Sequence, residues 1–117
     1  MPWLMKGDRV LASLEVAASV RDRALGLLGR DGIEGAVLLE RTRAVHTIGM
    51  RFSIDAAFCA PRASEGGPER LAILEIVTMA PNRLGRLRPR ARCVIEAEEG
   101  SFERWGLRAG DVVEVMR

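Results

Sequence analysis

The chain has 117 residues, 48% of them hydrophobic, and a formal net charge of +2. That length sets a single domain, 1–117, with enough apolar content for a real core. So small a charge argues against a general nucleic-acid binder, and no apolar run approaches the length that spans a membrane.

Residues 1–5 contain Pro2, are too short for a secretory segment and run into Lys6-Gly7-Asp8. The expectation is a cytoplasmic, monomeric protein with Cys59 and Cys93 as free thiols. Residues 10–16 alternate, Val10, Ala12, Leu14 and Val16 against Leu11, Ser13 and Glu15, and read as a strand. Ser19 followed by Asp22 marks a helix start, and Val20, Ala24, Leu27 and Leu28 form its apolar stripe. Gly29 or Gly32 ends it.

Residues 35–40 hold the apolar run Ala36-Val37-Leu38-Leu39, a buried strand. Residues 48–60 form the next strand region, at the centre of the sheet. Ser64-Glu65-Gly66-Gly67-Pro68 is turn chemistry. Across that loop the β-branched run 71–79 pairs antiparallel with the strand before it. Residues 81–89 are irregular and basic, 92–98 alternate again, a single helical turn falls around 101–104, and 111–116 close the chain as a strand. Gly7-Asp8 and Gly110-Asp111 each introduce a strand, with the aspartate expected to bond local backbone amides.

Five to seven strands with one early helix cannot form a doubly wound sheet, which needs repeated crossover helices. The pattern predicts an α+β, mainly β domain. Its sheet is mostly antiparallel, curved or partly closed, with the N-terminal-half helix packed on it.

The segment 46–58, His-Thr-Ile-Gly-Met-Arg-Phe-Ser-Ile-Asp-Ala-Ala-Phe, is the candidate site. It holds the only histidine, with Arg51 and Asp55, inside an apolar run, and buried polar groups need a reason. In a plain strand His46 and Arg51 face opposite ways. A bulge at Gly49 brings His46, Arg51 and Asp55 to one side and leaves Phe52, Ile54, Ala56 and Phe58 as the core face. Arg51 and Asp55 still stand about 13 Å apart along an extended strand, so Asp55 is expected to bond Arg83 or the backbone amides of a neighbouring loop.

In its order of residues this segment resembles the signature of the bacterial and archaeal domain-of-unknown-function family 192. The helix sequence Arg23-Ala24-Leu25-Gly26-Leu27, then Pro81-Asn82-Arg83, Val94-Ile95-Glu96-Ala97 with Gly100, and Gly106-Leu107 with Gly110-Asp111 are similar to further motifs of that family. The likeness covers about 8–116. Ser53 stands where the family has proline, and the loop after Phe58 is Arg- and Gly-rich rather than a short Asp-Gly turn. The resemblance implies a compact, mainly β domain and no established activity.

Other chemistry is poorly provided for. A metal site requires His46, Cys59, Cys93 and a carboxylate to converge, and no CxxC or HxxxH spacing exists, so neither metal nor cofactor is implied. Cys59 and Cys93 lie in apolar strand patterns, the setting of inert thiols rather than nucleophiles. The run 83–92 is the densest basic segment, a solvated loop or an anion-binding rim, and it lacks aromatics for RNA stacking. The basic residues are almost all arginine, with Lys6 the lone lysine. That bias accompanies GC-rich genomes and also suits fork-like recognition of carboxylate or phosphate.

Three readings stay open. The first is a binding or accessory module for an anionic small molecule or an anionic group on a protein partner, using Arg51, Arg83, His46 and Thr47. The second is a small hydrolase or transferase with His46 as general acid/base and Arg51 stabilising charge. The third is a His/Arg/Asp cluster that only locks the sheet.

Overall fold

A computed structural model of the chain describes residues 2–17 and 31–117. Its strands are β1 (Trp3–Lys6), β2 (Arg9–Ala17), β3 (Ala36–Glu40), β4 (Ile54–Arg62), β5 (Glu69–Met79), β6 (Cys93–Glu98) and β7 (Val112–Met116). Helix α1 (Ser101–Arg104) stands between β6 and β7. The strands close into a barrel in the order β1-β2-β3-β6-β4-β5-β7. Among the described residues only the β2–β3 pairing is parallel.

The expected curved or partly closed α+β sheet with a packed helix is corrected by this closure. The sheet has no free edge, because β1 pairs with β2 on one side and with β7 on the other. The missing strand explains the error. Trp3–Lys6 is only four residues long and follows a proline, so it carries too little alternation to register as a strand. Yet it is the piece that joins the two ends of the sheet. Among the described residues the only helix is α1, and the helix expected over 19–29 lies outside them.

The apolar residues form two cores. All seven strands contribute to the first, including Leu4, Leu14, Leu38, Ala57, Ile73, Ile95 and Val115, so it fills the barrel interior. Phe102 and Leu107, from α1 and the turn after it, join this cluster and close the barrel end where β6 departs. The second core lies on the outer face of β3, β4 and β6. There Val37, Leu39, Ile54, Ala56, Phe58 and Val94 are covered by Val45, Met50 and Ala91 from irregular segments. Strand alternation assigns the two faces: in β3, Ala36 and Leu38 point in while Val37 and Leu39 point out. Both faces of these strands are therefore apolar.

The strand region expected over 48–60 is shortened. Residues 48–53 are turn and bend, and β4 begins only at Ile54. Gly49 is irregular as expected, at φ 81°, but as a turn before the strand rather than a bulge within it. The Asp111 turn does use a local amide, since the Arg108 N–H donates to its carboxylate at 2.9 Å.

Candidate functional site

Two irregular segments, 41–53 and 80–92, cover the outer core and carry most of the expected site. A short backbone ribbon fastens them: Gly85 N–H donates to Val45 O, Thr47 N–H to Arg83 O, and Asn82 N–H to Thr47 O, at 2.8–2.9 Å. His46 bridges Leu84 within it. Thr47 is fully buried at the centre. Its hydroxyl donates to Ala80 O at 2.6 Å and accepts from Arg83 N–H at 2.8 Å. The Asn82 side chain accepts from Gly49 N–H at 2.9 Å and so pins the turn. Thr47 thus has its hydroxyl committed to backbone partners.

His46, Arg51 and Asp55 go to separate places. His46 is exposed, and its Nδ1 accepts from Ile48 N–H two residues on, its only hydrogen bond to a described residue. Arg51 is exposed and paired with Asp31 at 2.9 Å. Asp55 is buried, accepting from the Thr78 hydroxyl at 2.8 Å and from Gly100 N–H at 2.9 Å. The backbone amide of a neighbouring loop is therefore its partner, not Arg83. It lies on the floor of an open cleft of about 650 Å³ beside Phe102, Glu103 and Arg108. Arg83 is exposed on the ribbon, next to Thr47 in backbone pairing.

The arginines of 86–92 are brought together with two that lie far away in sequence. Arg88 is the anchor. Its guanidinium stacks over the Phe58 ring at 4.3 Å, pairs with Glu75 at 3.0 Å, and donates to Arg86 O at 2.7 Å. Stacking on an aromatic face and forking onto a carboxylate are both arginine chemistry. Arg88 N–H also bonds Arg43 O, and Thr42 N–H bonds Arg92 O. These bonds dock the segment after β3 against the basic loop. As a result Arg41, Arg43 and Arg92 line one hollow of about 380 Å³. A second hollow, of about 560 Å³, is lined by Arg86 and Arg90, by the Arg88–Glu75 pair, and by the apolar Phe58, Leu74 and Leu87. Leu74 faces outward by alternation from the inward-facing Ile73, and a register shift, with Phe58 paired to Glu75 while Cys59 pairs with Ile73, sets Glu75 beside it on the same side. Leu84 and Leu87, at 79% and 60% exposure, stand in the open on the same loop.

The run 83–92 is legible in the sequence, but its partners are not. Arg41 and Arg43 flank a threonine after an apolar strand, and that doublet is the only sequence sign of them. Glu96 is another residue that the sequence does not single out. It is buried on the outer face of β6, between Val37 of β3 and Ala56 of β4, with no hydrogen bond to a described residue. Burial pushes its carboxyl up to about 7. The available signal was a charge at an alternating position in Val94-Ile95-Glu96-Ala97. Among the described residues no three His, Cys, Asp or Glu side chains are grouped so as to hold a metal ion, and no helix is long and apolar enough to cross a membrane.

A family model described as DUF192, Uncharacterized ACR, matches residues 4–115. A crystal structure of a protein of unknown function from Novosphingobium aromaticivorans DSM 12444 is similar over the whole chain. The TM-score is 0.73 at 17% identity, and 84% of that chain is covered. At that identity the likeness is one of fold. No curated protein matches.

Proposed function

We propose that this chain, which belongs to domain-of-unknown-function family 192, is a binding module for an anionic group, a phosphate or carboxylate on a small molecule or a protein partner. One observation carries the reading: Arg41, Arg43 and Arg92, from two segments about fifty residues apart in sequence, surround a single hollow. A phosphate or carboxylate seated in this hollow meets positive charge from more than one side. The arginine fork then gives geometric preference for phosphate and carboxylate over a spherical ion. The neighbouring hollow, with Arg86 and Arg90 over an apolar wall, suits a ligand whose anionic group is attached to an apolar body. Arg83 extends the basic edge along the ribbon that leads into this loop, with His46 beside it. Arg51 belongs to a separate surface ion pair with Asp31.

Titration with inorganic phosphate against chloride at matched ionic strength, read by amide chemical shifts, tests the reading. Saturable shifts are expected at 41–43 and 86–92, and Arg43→Ala should weaken them severalfold while the fold stays intact. Shifts that never saturate and match those of chloride would mean simple screening and end the proposal. Saturable shifts confined to 46–51 would move the site to the His46 turn.

A further inference from the structure

Strands β4 and β6 are antiparallel, and their register sets Cys59 directly opposite Cys93. Opposed residues of an antiparallel pair have Cα atoms about 4.5–5.5 Å apart, within the range of about 4.4–6.8 Å that a disulfide requires. Both side chains belong to the barrel-interior cluster, so they leave the sheet on the same face. Both thiols are free. We propose that Cys59 and Cys93 are a modification site, a cross-strand dithiol that a small peroxide oxidises reversibly to an intramolecular disulfide inside the barrel.

The order of events follows from the surroundings. Cys93 opens β6 opposite Glu40, the last residue of β3, and it retains 7% exposure while Cys59 is fully buried. Peroxide therefore reaches Cys93 first. The Cys59 S–H donates to Ala57 O at 3.4 Å and the Cys93 S–H to Cys59 O at 3.9 Å, and the interaction of the two adjacent thiols pushes the Cys93 thiol down and the Cys59 thiol up. The Glu40 and Glu69 carboxylates act against a Cys93 thiolate, and Arg117 binds both of them at 2.8 and 3.1 Å.

The Cys93 thiolate attacks one peroxide oxygen, the O–O bond breaks, and the departing hydroxide takes a proton to become water. Cys93 is now a sulfenic acid. Cys59 gives its proton to the sulfenic oxygen, its sulfur attacks the Cys93 sulfur, the S–S bond forms, and a second water leaves. Two thiols and one hydrogen peroxide give one disulfide and two waters, with two electrons passing from sulfur to peroxide. An external dithiol returns the pair to the reduced state by exchange.

The folded full-length chain is treated with millimolar hydrogen peroxide, quenched, and weighed intact and after proteolysis. The expected product is lighter by two hydrogen atoms and contains a Cys59–Cys93 cross-linked peptide. It has no alkylatable thiol in denaturant and a higher Tm, since the bond restricts the unfolded chain. Dithiothreitol restores both thiols. In Cys59→Ala the sulfenic acid has no resolving partner, so dimedone should trap it at Cys93. Added oxygen on Cys93 with Cys59 still alkylatable would overturn the proposal. So would disulfides only between molecules, or two intact thiols after prolonged exposure. All three are read on the unsubstituted chain and stand whether or not the variant folds.

Discussion

The inside of the barrel and its loop-covered outer face are both apolar, yet they are made in different ways. The interior is assembled mainly by strand alternation: every strand supplies it, and α1 and the turn after it add Phe102 and Leu107. The outer core, by contrast, is roofed by segments with no regular structure, whose backbone groups must be bonded one at a time. Thr47, Asn82 and Arg88 do that work through bonds to Ala80, Arg83, Gly49, Arg43 and Arg86. Irregular segments thus need polar side chains at their centre. This is also the side on which the arginines gather.

The contrast can be broken by measurement. The largest effect is expected inside: Phe102→Ala removes the aromatic that closes the barrel end, packed edge-to-face on Trp105, and should lower unfolding stability by about 3–5 kcal/mol in denaturant melts. A loss below about 1 kcal/mol would show that this end is not packed as described.

Glu96→Gln probes the outer core through pH. The folded pKa of Glu96, about 7, lies above the ordinary 4.5, so the native state keeps this proton longer than the unfolded chain. Stability from this group is full below the ordinary value and is lost as pH rises through about 7. That gap corresponds to about 3 kcal/mol as an upper bound. Glu96→Gln should therefore match the parent near pH 4 and exceed it at pH 8, as read by melts across that range. Parallel curves at both pH values would refute the burial of this carboxyl.

Thr47→Val keeps the shape and removes the hydroxyl, leaving Ala80 O and Arg83 N–H short of a partner, and should cost about 1–3 kcal/mol. Hydrogen exchange sharpens this test, because protection should fall at 82–85 and stay unchanged in β1 and β7. The smallest effects belong to the exposed loop: Leu84→Ser and Arg43→Ala should each stay within about 0.5 kcal/mol of the parent in stability. For Arg43→Ala, phosphate response alone should change.

Much of the strand content was legible because alternation is written locally. The runs around Val10–Val16 and Cys93–Glu98 show period two, Leu71–Met79 is a β-branched apolar run, and Ile54, Ala56 and Phe58 form a core face as their spacing indicates. The site was less legible. A bulge at Gly49 puts His46, Arg51 and Asp55 on one side only in a continuing strand, whereas the chain turns at Gly49 and enters β4 only at Ile54. That turn depends on Thr47 and Asn82 meeting across about thirty-five residues, and nothing within 46–55 encodes it.

The sequence by itself determined most of the apolar strand faces, where most strands run, and that the loop 83–92 is basic. Each of these is a property of neighbours in the chain: side-chain alternation, turn-forming residues and charge density. Only the tertiary structure decided that β1 joins β2 to β7, that Arg41 and Arg43 face Arg92, and that Cys59 lies opposite Cys93. These are pairings between distant strands and loops, made by backbone hydrogen bonds that every residue but proline can both donate and accept. Their partners are fixed by closure and packing of the whole barrel rather than by any local pattern.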